Sequence, residues 1–179
     1  QQHGRKFAAE LNRLLAGELR SVSPEIVCRS VCVDLPFDKL PALERWEQTA
    51  KTAGSHGFHA QHFLQRLRSG EPIPASISYP ISVWSFGDDL AMVFLAGEVV
   101  VDFAIRIHGQ FDPDRLWITA YANDMPCYIP SKRILAEGGY EADQSMIYYG
   151  QPTRLAPEAE DIIVDAVGNL LTPRFCKTE

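Results

Sequence analysis

The stretch VFLAGEVVVDFAI, residues 93–105, decides how the middle of this chain folds. Three consecutive valines favour a β-strand by propensity. However, apolar side chains between residues 100 and 107 also recur at helical spacing, and the whole run is too long for one ordinary strand. Because Gly97 interrupts the run, we predict a strand that ends before Gly97 and a helix that begins at Glu98.

Glu98 would then lie at the start of a helix and beside the C-terminal end of a strand. Open α/β sheets usually place their ligand sites at this edge. A carboxylate in the first turn of a helix also stabilises the helix dipole, which requires no ligand. From the residues alone, Glu98 is therefore either a ligand or a helix-dipole partner, and the second interpretation is the more common one.

Outward from this stretch, helical and extended patterns alternate along the chain, which predicts an α/β or α+β fold with a mixed sheet flanked by helices. The strand patterns at 79–86 and 90–97 flank a short turn and predict a hairpin. The other predicted strands cover residues 25–36 and 115–123. The other predicted helices cover residues 5–20, 41–54, 55–70, 131–139 and 156–171.

Composition sets limits on size and partners. The chain has 179 residues, of which 46% are hydrophobic and 22% charged, as expected for one globular domain with a core. A net charge of -6 and the lack of a basic stripe argue against a nucleic-acid partner. No apolar run approaches the roughly 20 residues of a transmembrane helix, so we predict no transmembrane segment.

A possible metal site lies in the sequence HGFHAQH, residues 56–62. On a helix, His59 and His62 are close enough to share an ion, but His56 would lie far around the helix from His62. The neighbouring residues are polar and favour a solvent-facing helix. We therefore predict that these histidines do not form a metal centre. The four cysteines are irregularly spaced and contain no CxxC pair, which argues against a zinc knuckle or a disulfide framework.

The segment YANDMPCYIPS, residues 121–131, follows the last predicted strand. Pro126 and Pro130 restrict the backbone on either side of Tyr128, so its phenol would be held on a stiff loop. Such a tyrosine either packs its ring and hydrogen-bonds its hydroxyl for stability, or it has a functional role. Further tyrosines follow among glycines between residues 138 and 150, where they would line a pocket or fill it.

Four motifs together resemble the C-terminal part of the catalytic domain of neutral/alkaline non-lysosomal ceramidases. Their order and spacing match that family, including the twelve residues from Tyr128 to Tyr140. The resemblance extends from Pro80 to about Leu171 and is weaker before Pro80. The motifs are FLAGE (94–98), YANDMPCYIPS (121–131), GGYE (138–141) and MIYYG (146–150).

The resemblance implies a zinc-dependent amidohydrolase that hydrolyses the N-acyl amide of ceramide to sphingosine and a fatty acid. It implies that Glu98 and Tyr128 are metal ligands and that Tyr140 is a catalytic neighbour that hydrogen-bonds within the site. The implied cofactor is zinc, which would activate the attacking water. The implied substrate is a lipid-like amide, and the implied location is secreted or extracytoplasmic.

In the family, both histidine ligands of the zinc come from the N-terminal half of the domain, and these 179 residues contain no such segment. The resemblance therefore implies that residues 1–179 are a partial domain, inactive alone and without the immunoglobulin-like tail of some members. A partial domain would expose apolar surface, which a homodimer could cover. The alternative is a non-catalytic α/β module that binds an apolar ligand or a partner subunit.

Overall fold

The computed structural model describes residues 2–177. Helices and strands alternate along this part of the chain. The helices are α1 (Gln2–Leu15), α2 (Leu43–Thr49), α3 (Ser55–Ser69), α4 (Val101–Gln110), α5 (Lys132–Glu137) and α6 (Glu158–Leu170). The strands are β1 (Ile26–Pro36), β2 (Ser76–Phe86), β3 (Leu90–Leu95), β4 (Glu98–Val99), β5 (Leu116–Thr119) and β6 (Tyr128–Ile129). Short 3₁₀ helices lie at Pro113–Arg115, Gln144–Tyr149 and Pro173–Phe175.

The main sheet has four strands in the order β1-β2-β3-β5. The β1–β2 and β2–β3 pairs are antiparallel, whereas β3 and β5 are parallel and connected through α4. The predicted mixed sheet flanked by helices is therefore confirmed, and so is the predicted β2–β3 hairpin. The short strands β4 and β6 form a separate parallel pair.

One face of the sheet is covered by α4 and α6, and we call it the covered face. Alternate β2 side chains, including Ile81 and Val83, point to this face and are buried. They join one apolar core with Phe103 of α4 and with Ile163 and Val167 of α6. Burial of each such side chain stabilises the fold by about 1.5–3 kcal/mol.

The opposite face of the sheet carries the alternate residues of the same strands, and we call it the open face. The register aligns Cys28, Trp84, Met92 and Trp117 in one row across the four strands. Trp84 is 44% exposed and Trp117 is 61% exposed. The ring of Phe94 lies 5.2 Å from that of Trp84, measured between centroids. This row of the open face is thus apolar and remains partly accessible to solvent.

The N-terminal helix α1 also leaves its apolar side exposed. The predicted amphipathic helix at residues 5–20 is present, but it covers Gln2–Leu15. None of its side chains is buried, and Phe7 is 80% exposed. Amphipathicity therefore determines the helix, but within the described chain it does not bring α1 onto the core.

The remaining helices follow their sequence signals with one difference. α3 and α6 lie where they were predicted, and the Ser131 hydroxyl caps α5 by accepting a hydrogen bond from the Ile134 amide at 3.3 Å. The helix predicted over 41–54 is shorter, because α2 ends at Thr49. After Thr49, the Thr52 hydroxyl donates to the Thr49 carbonyl oxygen at 2.7 Å, and turn structure replaces the helix.

Candidate functional site

The candidate site lies just beyond the C-terminal ends of β3 and β5. After β3, the chain turns at Gly97, whose φ of +72° is unfavourable for other residues. A Cβ atom at Gly97 would lie 2.5 Å from the Cys127 carbonyl oxygen. The Gly97 amide donates to the Asp124 carbonyl oxygen at 2.9 Å. Glycine therefore allows the end of β3 to approach the segment that leads to Tyr128.

The helix predicted to begin at Glu98 begins later, and that prediction was wrong in its boundary. The break at Gly97 is present, but α4 starts at Val101 with Val100 as its N-cap. Glu98 instead lies in β4, where its amide donates to the Cys127 carbonyl oxygen at 3.1 Å. Pairing with a distant segment thus prevails over local helical spacing, and Glu98 is not in the first turn of α4.

Pairing of β4 with β6 brings Glu98 and Tyr128 together. The two residues are direct partners in the parallel register. The Glu98 carboxylate raises the pKa of the Tyr128 phenol, first through a side-chain hydrogen bond, which stabilises the protonated phenol. Two residues singled out separately in the sequence are therefore direct neighbours in the β4–β6 pairing.

Tyr121 is a further residue at this carboxylate, and the sequence did not single it out. Its hydrogen bond with Glu98 raises the pKa of the Tyr121 phenol. Tyr121 has a φ of +57°, and its amide donates to the Gly97 carbonyl oxygen at 2.9 Å. A left-handed conformation is uncommon for a tyrosine and is typical of functional sites. The sequence contains no local signal for it, apart from the position of Tyr121 at the start of the YANDMPCYIPS motif.

Tyr140 contacts Tyr128 through its ring. The centroids of the two rings lie 5.8 Å apart at 79°, an edge-to-face arrangement. The ring of Tyr149 lies 6.4 Å from that of Tyr128, also edge to face. Tyr140 is 46% exposed, so its hydroxyl is accessible to a ligand. The structure therefore places all three predicted site residues, Glu98, Tyr128 and Tyr140, in one cluster.

An apolar cleft of about 90 Å³ lies beside β4. Leu95, Val99 and Phe103 line it together with Ile118 and Thr119 of β5. Neither Glu98 nor the clustered tyrosines line this cleft, and its volume is well below the roughly 300 Å³ or more of typical ligand pockets.

The histidines of α3 lie elsewhere and have structural contacts. The His59 ring stacks on Trp46 with centroids 6.0 Å apart, and its Nε2 atom lies 2.7 Å from the Gln151 carbonyl oxygen. Burial lowers the pKa of His59. Among residues 2–177, no group of three or more His, Cys, Asp or Glu side chains could hold a metal ion.

Comparison of the chain with protein-family models, with curated proteins and with solved structures gave no match. The resemblance to ceramidases is therefore carried by the four sequence motifs alone. In the described part of the chain, every helix is too short or too polar to cross a membrane.

Proposed function

We propose that this chain supplies part of the active site of a ceramidase-like, zinc-dependent amidohydrolase. In this proposal Glu98 and Tyr128 are metal ligands, and Tyr140 assists catalysis from its position beside Tyr128. The observation that carries the proposal is the direct pairing of Glu98 with Tyr128 in β4 and β6. The ceramidase motifs independently imply the same two residues.

The donor pair fits two positions of a zinc site. A carboxylate and a phenol on directly paired residues can share one ion, since both oxygens are hard donors that zinc accepts. Zinc sites generally need at least three protein ligands, and the described residues hold no cluster of three. The chain alone therefore fits half of the site, and we expect it to bind zinc weakly.

When bound, zinc would supply Lewis-acid chemistry that polarises an amide carbonyl and activates water. The residues of this chain have separate tasks. Glu98 favours the protonated phenol of Tyr128, and a bound metal ion would have to displace that proton. Tyr140 is 46% exposed, so a substrate can reach it, and its hydroxyl is a hydrogen-bond donor for a polar group of the substrate. These residues suit the amide part of the substrate, and its lipid chain is implied by the sequence motifs.

Zinc titration of the chain, followed by near-ultraviolet absorbance of phenolate, tests the proposal. Metal coordination would deprotonate Tyr128, so we expect a phenolate signal that rises with zinc and saturates only at high concentration. The signal should disappear in Tyr128→Phe and weaken strongly in Glu98→Gln. Tyr148→Phe is the matched control, because Tyr148 is 63% exposed and its ring contacts Tyr140 rather than Tyr128. A signal that survives in Tyr128→Phe would contradict the assignment.

The open face of the sheet favours a second candidate function, a non-catalytic module that binds a partner subunit. Exposed Trp84 and Trp117 are the residue type that dominates protein interfaces. A second copy of this chain would cover the face and form a homodimer. Under this function, zinc would produce no phenolate signal, whereas sedimentation would show self-association that Trp117→Ser weakens.

A further inference from the structure

The pairing that aligns Glu98 with Tyr128 is unusually short. β4 and β6 have two residues each, and their ladder includes the Glu98 amide donating to the Cys127 carbonyl oxygen at 3.1 Å. The Val100 amide donates to the Ile129 carbonyl oxygen at 3.3 Å. So few backbone bonds constrain the register weakly. Other contacts must therefore keep Glu98 beside Tyr128.

The carboxylate of Asp102 joins α4, which follows β4, to α5, which follows β6. Asp102 lies in the first turn of α4, directly after β4, and accepts a hydrogen bond from the Ser131 hydroxyl just before α5. The Arg133 guanidinium binds the same carboxylate with two bonds, from Nε to Oδ2 and from Nη2 to Oδ1, each 3.0 Å long. We call Asp102, Ser131 and Arg133 the α4–α5 brace.

The brace lies beside the candidate site, and further bonds tie both of its helices to α6. Ser131 is 2% exposed, so its bond to Asp102 is shielded from water. Arg106 of α4 binds Glu160 at 2.6 Å, and the other oxygen of Glu160 accepts from the Lys132 amide at the start of α5. Both helices are thus also held to α6. A two-pronged arginine–carboxylate pair adds directional constraint as well as energy.

We propose that Asp102 is a positioning residue, which keeps Glu98 paired with Tyr128 by locking α4 to α5 through Ser131 and Arg133. Asp102 follows Glu98 by one helical turn of chain, and Ser131 follows Tyr128 as closely, so a displacement between the helices displaces the two site residues. The catalytic meaning of the contact rests on the proposed function, whereas the geometric role does not.

The electrostatic state of the brace agrees with this role. Arg133, and then Ser131, lower the pKa of Asp102, so the carboxylate is charged near neutral pH. Arg133 also bonds Glu137 at 2.8 Å, but both residues belong to α5. Loss of Glu137 therefore removes an ion pair without separating α4 from α5. Glu137→Gln is the matched control for Asp102→Asn.

A fluorinated tyrosine at position 128 tests the positioning without zinc or substrate, because its fluorine resonance is specific to that site and responds to the groups around the ring. Spectra are recorded at one pH at which the phenol stays protonated. We expect Asp102→Asn to move the resonance part of the way toward its position in Glu98→Gln. Glu137→Gln should leave the resonance unchanged. Arg133→Lys, which keeps the charge but not the paired bonds, should give a smaller movement in the same direction.

Two results would overturn the proposal. One is an unchanged fluorine resonance at Tyr128 in folded Asp102→Asn. The other is an equal movement of the resonance by Asp102→Asn when Glu98→Gln is already present, because this would indicate a direct charge effect rather than positioning. If Asp102→Asn does not fold, the spectrum of Arg133→Lys decides between the same outcomes. If Asp102→Asn has the expected effect at Tyr128 but zinc produces no phenolate signal, the proposed function alone is rejected.

Discussion

The two faces of the sheet differ although the same strands form both. On the covered face, Ile81 and Val93 are fully buried beneath α4 and α6. On the open face, Trp84 and Trp117 keep 44% and 61% of their surface exposed. The covered face thus gains its stability within this chain, whereas the open face retains apolar surface that only a further contact could bury. Substitutions on the two faces should therefore have very different effects.

The largest effect is expected on the covered face. Ile81→Ala should lower the free energy of unfolding by about 2–5 kcal/mol, because Ile81 is fully buried and the change removes its methyl groups and leaves a cavity. The matched change on the open face, Met92→Ala, should cost clearly less. Urea denaturation of both variants measures the difference. Equal losses would indicate that the open face is covered in solution.

Gly97 connects the covered face to the candidate site and should be the next most sensitive position. Gly97→Ala forces a Cβ atom to 2.5 Å from the Cys127 carbonyl oxygen at a φ of +72°. We expect a loss of about 1–3 kcal/mol in unfolding free energy, as is typical of backbone strain. Gly109→Ala is a suitable control, since a Cβ atom there meets nothing within 4 Å. Similar thermal stability for the two variants would contradict the close approach at Gly97.

The α4–α5 brace should make the unfolding free energy of the chain sensitive to acid. The folded-state pKa of Asp102 is lowered by Arg133 and Ser131, so the carboxylate stabilises the fold above its unfolded pKa of about 3.9. That stabilisation is lost as the pH falls through the folded pKa. Asp102→Asn should remove this part of the pH dependence and cost about 1–2 kcal/mol at neutral pH. Urea denaturation at several pH values measures both, and an unchanged acid limb in Asp102→Asn would exclude the brace as its cause.

The smallest effect on folding is expected on the open face. Trp117→Ser should change the unfolding free energy of the monomer by no more than about 0.5 kcal/mol, since Trp117 lies on the surface. It should nevertheless weaken self-association, because it removes exposed apolar area. Sedimentation over a range of concentrations measures the association. A wild-type chain that stays monomeric at all of them would reject the homodimer.

Local sequence patterns were sufficient for much of the architecture. Alternating side chains predicted β2 and its hairpin with β3, the apolar stripe predicted α6, and Ser131 marked the start of α5. These features depend on near neighbours in the chain, which is why pattern and propensity predict them. For the candidate site, the motifs pointed to Glu98, Tyr128 and Tyr140, but Tyr121, the second tyrosine whose phenol interacts with Glu98, was missed.

The sequence by itself determined the break at Gly97 and the alternation of the sheet, and it singled out Glu98, Tyr128 and Tyr140 as candidate site residues. Only the tertiary structure decided that Glu98 lies in a strand rather than a helix, because its backbone bonds a segment distant in sequence. The left-handed turn at Tyr121 and the brace from Asp102 to Arg133 likewise depend on elements that meet only after folding. The same holds for the open face, because alternation predicts two faces, and packing decides which of them α4 and α6 cover.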